Sequence, residues 1–304
     1  MDEATAFAPG HVTAFFAPYP DDDPARAGSR GAGLALSDGV EVTVRALDGD
    51  EAAPAAGDDT TAPAADATDA SDATDGVVID GVPAEMEPVD RVLAALAVAD
   101  EVEVEVASDV PIGSGFGVSG AASLATALAT NAVLDLGRSE NDLVRVAHAA
   151  EAAAGTGLGD VVGQFRGGLP VRLEPGSPGY GRMDGVPARP RIEYLSFGEL
   201  STERVLSGSL DPVREAGEAA LTRLMRAPDE SELLASGREF AGEAGLLVPE
   251  VAEAIEAVEA EGGLASMAML GRTVYALGTG LSDAGYDADA CAVHPTGATI
   301  RAGE

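Results

Sequence analysis

The segment that most restricts the fold runs from residue 101 to residue 136. Residues 101–107 read Glu-Val-Glu-Val-Glu-Val-Ala, a strict alternation that puts valines on one face of a strand and glutamates on the other. Residues 111–120 read Pro-Ile-Gly-Ser-Gly-Phe-Gly-Val-Ser-Gly, and residues 121–136 are a long run of small and aliphatic side chains that predicts a buried helix. A half-buried strand, a glycine-rich turn and a buried helix need a sheet with at least one covered face. The turn also has a chemistry. The first N–H groups of a helix have no partner within it, and the helix dipole is positive there, so such a turn holds phosphate. Ser119 stands where its hydroxyl can reach a phosphate or a metal.

The turn satisfies a second pattern, Gly115-x-Gly117-x-x-Gly120, with Asp135 as an acidic residue further on. A dinucleotide-binding fold needs that acid at the end of the next strand. Asp135 ends a predicted helix instead, and residues 108–112 separate the strand from the first glycine. The phosphate-loop reading is therefore preferred, with a glycine turn that binds nothing as the plain alternative.

Around this unit the chain alternates strands and helices. Residues 4–8 predict a short strand stopped by Pro9-Gly10, and residues 12–16 continue apolar. Residues 17–33 read as loop, and Val40, Val42 and Val44 as a half-buried strand. Residues 48–76 are Ala, Asp, Thr, Gly and Pro, too poor in large apolar groups to build a core, and are expected to be a mobile insertion. Ser139 with Asp142 predicts a capped helix to about residue 154, followed by a short helix over 160–165 and a strand over 169–173. Residues 175–190 are a Gly/Pro-rich crossing and the expected domain boundary. Beyond it come a strand over 192–197, helices near 211–226, 229–244 and 249–261, and a tail of short strands and helix. The fold class is α+β in two domains, 1–175 and 190–304.

Charge narrows the function. There are 52 acidic and 18 basic residues, giving a net charge of -34, and every basic residue is Arg. With no Lys there is no Walker A lysine, no protein-kinase strand lysine and no Schiff base. An acidic surface argues against nucleic acid or an anionic membrane as partners. Cys291 is the single cysteine, which excludes an intrachain disulfide and a Cys-cluster zinc site. The acidic start and the absence of a long apolar run lead us to expect no signal peptide and no membrane span.

Residues 111–122 resemble the P-x-x-x-G-L-G-S-S-A-A loop of the GHMP kinases, with Phe116 for Leu, Val118 for the first Ser, and the second Ser kept as Ser119. Residues 8–16, Ala-Pro-Gly-His-Val-Thr-Ala-Phe-Phe, resemble the family's A-P-G-K-V-x-L-x-G strand, with His11 in place of Lys. Gly157-Leu158-Gly159-Asp160 and the trailing Gly167-Gly168 resemble its S-G-x-D segment. Residues 262–271 take the place of its third glycine-rich loop as a poor match. The forms at 9–16, 28–33 and 266–278 look most like the archaeal branch whose acceptor is pantoate, and the Asp-rich, Lys-free composition like a haloarchaeal member.

The resemblance implies a phosphate-loop α+β domain followed by a ferredoxin-like α+β domain, with ATP and a small-molecule substrate meeting between them. It assigns ATP to Pro111, Gly113, Ser114, Gly115, Phe116, Gly117, Val118, Ser119 and Gly120, and Mg²⁺ to Ser119 and Glu151. Asp160 would orient or deprotonate the attacking hydroxyl, and His11, in the place of the family lysine, would be a donor facing phosphate or substrate. A substrate carboxylate would need a guanidinium, from Arg30 or Arg166, with Ser29 nearby and Val12, Ala14 and Phe15 as an apolar wall. The plain alternatives are an N-cap role for Asp160, a solvated helix-end Glu151, surface arginines, and structural roles for His11, His148 and His294. Other acceptors (mevalonate, homoserine) and a non-catalytic ligand-binding relative remain open, as does a homodimer, and a cytoplasmic setting is expected.

Self-repulsion at this net charge opposes compaction, and at molar salt the screening length shrinks to about 3 Å. We therefore expect the melting temperature to rise from low salt to molar KCl, as followed by circular dichroism. A flat melting temperature across that range would contradict the electrostatic argument.

Overall fold

The structure is a computed structural model, and it describes residues 2–47, 77–199 and 210–301. The insertion expected over 48–76 lies outside the described residues. Two antiparallel-rich sheets organise the chain. The first is built on a long pair, β1 (Glu3–Tyr19) and β2 (Gly28–Ala46). Next come β3 (Val77–Ile79), β4 (Val82–Pro83), α1 (Glu87–Leu96), β5 (Val102–Ser108) and α2 (Val118–Val133). α3 (Glu140–Ala154), α4 (Asp160–Arg166), β6 (Leu169–Glu174) and β7 (Arg182–Val186) complete this half. The second half has β8 (Arg191–Ser196), α5 (Asp211–Leu224), α6 (Glu230–Glu243), α7 (Pro249–Ala260), β9 (Ala265–Ala268), β10 (Thr273–Leu277), α8 (Gly280–Asp283) and β11 (Asp289–Ala292). β12 (Thr299–Ile300) then returns to pair with β1 at Ala6 and Phe7.

The first sheet runs β12-β1-β2-β5-β3-β4, with β6 joined to β2 and β7 to β6. β5 behaves as its alternation requires: Val102, Val104 and Val106 are buried and the intervening glutamates exposed. α2 is buried on nearly all faces, which its small residues permit, and it packs against β1, β2, α1 and α3. The Ser139 cap is present, its hydroxyl accepting from the Asp142 N–H at 3.3 Å. The second sheet has the order β11-β8-β10-β9, all pairs antiparallel. With helices between β8 and β9 and between β10 and β11, this is the ferredoxin-like arrangement. Among the described residues no helix is long and apolar enough to cross a membrane.

Three expectations are corrected. Pro9-Gly10 does not end the first strand, because β1 runs through it with register shifts between Pro9 and His11 and between Thr13 and Phe15. Residues 28–33 are strand rather than loop. Their glycines answer to crowding, since a Cβ on Gly31 would lie 2.3 Å from the Phe15 carbonyl oxygen. The 175–190 crossing contains β7, hairpinned onto β6.

The second half meets β1 through backbone contacts that only glycine allows. A Cβ on Gly217 of α5 would lie 2.2 Å from the Phe16 carbonyl oxygen, and one on Gly237 of α6 would lie 2.9 Å from that of Ala14. The Met269 N–H donates to the Thr13 carbonyl at 3.0 Å. Gly217→Ala should therefore cost about 1–3 kcal/mol, the usual penalty of overpacking. Urea denaturation would check this, and a wild-type midpoint would show that α5 can move away from β1 at no cost.

Candidate active site

The phosphate loop is shaped by what holds its carbonyls. The Ser114 oxygen accepts from the Thr273 hydroxyl at 2.7 Å, the Phe116 oxygen from the His11 N–H at 2.8 Å, and the Gly117 oxygen from Gln164 Nε2 at 2.8 Å. With the carbonyls drawn back, the N–H groups are left to the cleft. None from Gly115 to Gly120 donates to an acceptor among the described residues. α2 begins at Val118, three residues earlier than the sequence reading, so Ser119 and Gly120 lie in its first turn. Gly113, Gly115 and Gly117 have φ of 73°, 91° and 63°, a region that favours glycine.

His11 and Asp160 meet from opposite ends of this half. His11 Nδ1 lies 2.7 Å from Asp160 Oδ1, and the Thr13 hydroxyl donates to the same oxygen at 3.1 Å. His11 is wholly buried, its Nε2 without a partner among the described residues and boxed in where Gly33 and Gly163 leave room. Burial drives its pKa down, against the opposing pull of Asp160, so the imidazole is neutral and its Nδ1–H is the donor. For Asp160, burial alone would raise the pKa. Donation from His11 and Thr13 and the positive charge of Arg172 outweigh it and hold the carboxyl below its usual range. Oδ1 is thus occupied, and Oδ2 accepts no hydrogen bond among the described residues.

Arg172, on β6, is the cation the sequence reading missed. It is 2% exposed and forms no ion pair among the described residues, and its Nε has no hydrogen-bond partner there. Its Nη1 reaches only the Gly159 carbonyl, at 3.5 Å, and Asp160 is felt as a nearby charge but not held in a salt bridge, so the guanidinium is buried with most of its donors unspent, which is costly. Together with Asp160, Thr13, Ser29, Phe16, Leu158 and Leu270 it lines a narrow recess. Thr13, Asp160 and Leu270 also line the wider cleft of the phosphate loop, so the recess and the cleft join at Asp160. The bulge between Thr13 and Phe15 brings both Thr13 and Phe16 to this side of β1. Val12, Ala14 and Phe15, expected as an apolar wall, are fully buried in the core, and Phe16, Leu158 and Leu270 form the wall instead.

Glu151 stands behind Ser119, whose hydroxyl donates to its Oε2 at 3.1 Å. It is 3% exposed, its Oε1 has no partner among the described residues, and burial lifts its pKa to about 7. Gly157 separates Glu151 Oε2 from Asp160 Oδ2: a Cβ there would be 2.8 Å and 3.5 Å from them. Among the described residues no three His, Cys, Asp or Glu side chains converge as a metal cage. The donor set is one carboxylate and one hydroxyl beside a phosphate loop. That fits a magnesium ion taking its other ligands from phosphate and water.

The structure thus gathers Ser119, Glu151, Asp160, His11 and Ser29 around the loop and recess. His11 stands behind Asp160, not facing the cleft. The Ser29 hydroxyl donates to the Leu158 carbonyl at 3.0 Å. Arg30 and Arg166 are not brought to Asp160. Arg30 donates to the Leu173 carbonyl and to Glu218 of α5, and Arg166 lines a separate cavity with Val162, Phe165 and Met183. His148 is buried, with Nε2 at 2.7 Å from the Ala27 carbonyl. Besides Arg172, the sequence reading passed over Thr13 and Gln164. Thr13 carried a signal, since it is two residues from His11 on the same strand face.

Comparison with known proteins gives the family. Residues 88–168 match the GHMP kinases N terminal domain. The pantoate kinase of Methanospirillum hungatei is 34% identical over 280 residues, 91% of this chain and 88% of that protein. The pantoate kinase of Thermococcus kodakarensis is 34% identical over 281 residues, 90% and 86% of the two chains. A solved phosphotransferase related to the CoA biosynthesis pathway superposes with a TM-score of 0.81 at 29% identity, covering 98% of each chain.

The raised pKa of Glu151 gives stability a pH dependence. Its native pKa is raised, so between about pH 4.5 and 7 the unfolded chain ionises while the native state keeps the proton, and stability falls as pH rises through that window. Glu151→Gln removes this penalty. Above pH 7 the variant without metal should melt a few °C higher than wild type, the gain shrinking toward pH 4.5. Equal melting curves at pH 8 would show that the carboxylate is not strained by burial.

Proposed function

The chain belongs to the GHMP kinases, and from that membership we propose that it transfers the γ-phosphoryl group of ATP to the primary hydroxyl of pantoate. The products are ADP and 4-phosphopantoate, on the archaeal route to coenzyme A. The observation that carries the acceptor is the buried, unpaired Arg172 beside an ionised Asp160. A substrate carboxylate supplies the direct ion pair that Arg172 lacks among the described residues, and the guanidinium fork suits it. Phe16, Leu158 and Leu270 give the gem-dimethyl group its apolar wall. A homoserine ammonium would need its own acid, and among the described residues Asp160 is the single acid lining the recess.

The residues divide the work. The loop N–H groups and the first turn of α2 cradle the triphosphate. Ser119 and Glu151 would hold Mg²⁺, which when bound neutralises charge between the β- and γ-phosphates. Asp160 Oδ2 accepts the hydroxyl proton as the oxygen attacks, while Oδ1 stays fixed by His11 and Thr13. His11 is therefore a positioning residue. Its neutral imidazole orients the carboxylate and leaves it unprotonated.

Two variants and one panel test this. Asp160→Asn should lower kcat by about 10²–10⁴ with ATP binding kept. Arg172→Met should raise KM for pantoate roughly 10–100-fold, the scale of a lost charged hydrogen bond, with KM for ATP little changed. If Arg172→Met leaves pantoate KM unaltered, the carboxylate assignment is wrong. Mevalonate or homoserine proving the better acceptor in a side-by-side assay would overturn the substrate while leaving the kinase.

A further inference from the structure

We propose that Gln164 is a positioning residue that aims the phosphate loop and fixes its distance from the base, a role that rests on the phosphoryl-transfer reading above. Asp160 is the first residue of α4 and Gln164 lies four residues on, so both side chains leave the same helix face. Gln164 is wholly buried. Its Nε2 donates to the Gly117 carbonyl, and Gly117 is the residue that caps α2. The loop glycines are fitted to this face. A Cβ on Gly117 would lie 3.1 Å from Gln164 Nε2 and 3.2 Å from Asp160 Cβ, and a Cβ on Gly120 would lie 3.0 Å from Gln164 Oε1. The main chain of Gln164 is anchored in turn, its carbonyl accepting from the Ala298 N–H at 3.0 Å.

Packing alone does not account for an amide here. Oε1 is buried and has no partner among the described residues, and a buried acceptor left unmade costs stability that an apolar side chain of the same shape would not. Nor is the bond needed to begin α2, because the Gly117 oxygen already accepts from the Ala121 N–H at 3.0 Å. Its effect lies in the peptide plane. The Gly117 carbonyl and the Val118 N–H belong to one planar trans unit and point in opposite directions. Drawing the oxygen toward α4 turns that N–H toward the cleft, where it meets a phosphoryl oxygen. Gln164 and Asp160 then form one rigid gauge. The loop that holds the donor phosphate and the carboxylate that takes the acceptor proton are set by the same helix turn.

The test measures nucleotide binding directly, apart from turnover. Gln164→Met keeps the shape and loses the donor. Its affinity for a non-hydrolysable ATP analogue with Mg²⁺, by calorimetry, should fall about 3–10-fold, the scale of one neutral hydrogen bond. KM for pantoate should stay within about twofold, and the melting temperature should be unchanged or higher. Wild-type affinity in the folded variant overturns the proposal.

Gln164→Glu is the second variant, in case the first does not fold. A protonated carboxyl can donate to the Gly117 oxygen and a carboxylate cannot. Its analogue affinity relative to wild type should therefore fall as pH rises from about 5.5 to 8.5. Of the titratable groups, Asp160 shares this helix face across Gly117, with His11 packed behind Gly163 and Glu151 beyond Gly157. Both proteins carry all three, so the ratio reports what the carboxyl at 164 adds, its coupling to Asp160 included, and a ratio flat with pH overturns the proposal. A wild-type protein that binds the analogue but phosphorylates no pantoate would sink the acceptor reading while leaving this comparison intact.

Discussion

One residue joins the two halves of the chemistry. His11 holds the phosphate loop through its main-chain N–H, which donates to Phe116, and holds the base through its ring, which donates to Asp160. Both bonds require β1 to pass directly beneath the loop, and the bulges that let β1 run from Glu3 to Tyr19 without breaking make that passage possible. Full burial keeps the ring neutral. With the ring neutral, Arg172 is the full positive charge that Asp160 feels.

Without lysine, the site divides its positive potential among weaker sources. The free amides at the head of α2 face the cleft, and the Arg172 guanidinium lines the recess that joins it. Glu151, held near neutrality by burial, becomes a full anion when a cation arrives. The acids of the site therefore have different tasks set by environment alone. Asp160 is kept ionised by three partners, while Glu151, raised by burial and by repulsion from Asp160 with only hydroxyl donors to offset them, titrates at about 7.

What the sequence disclosed was whatever has a short-range signature. The β5 alternation, the Ser139 cap, the glycine turn before α2 and the Asp160 segment were all legible because neighbours along the chain define them. Arg172 was not. In Leu-Pro-Val-Arg-Leu-Glu an arginine flanked by apolar residues looks like the wet face of a strand, and only the packing of β6 against β2 buries it. Gln164 was hidden for the same reason, since its partner lies 47 residues away. Residues 28–33 were misleading because glycine marks crowding as readily as it marks a turn. Gly31 sits where β1, β2 and β6 converge.

The return of β12 to β1 has a consequence for how the molecule is made. Ala6 pairs with Ile300 across nearly the whole chain, and Gly167, just after α4, packs against Gly297 on the same returning segment. The outer edge of the first sheet therefore stays unsatisfied until the ferredoxin-like half has been traversed. Contacts of such long sequence separation slow folding, and an uncovered strand edge invites pairing with another chain. A fragment carrying only the first sheet and its helices would keep the glycine loop and Asp160, yet present β1 as an adhesive border.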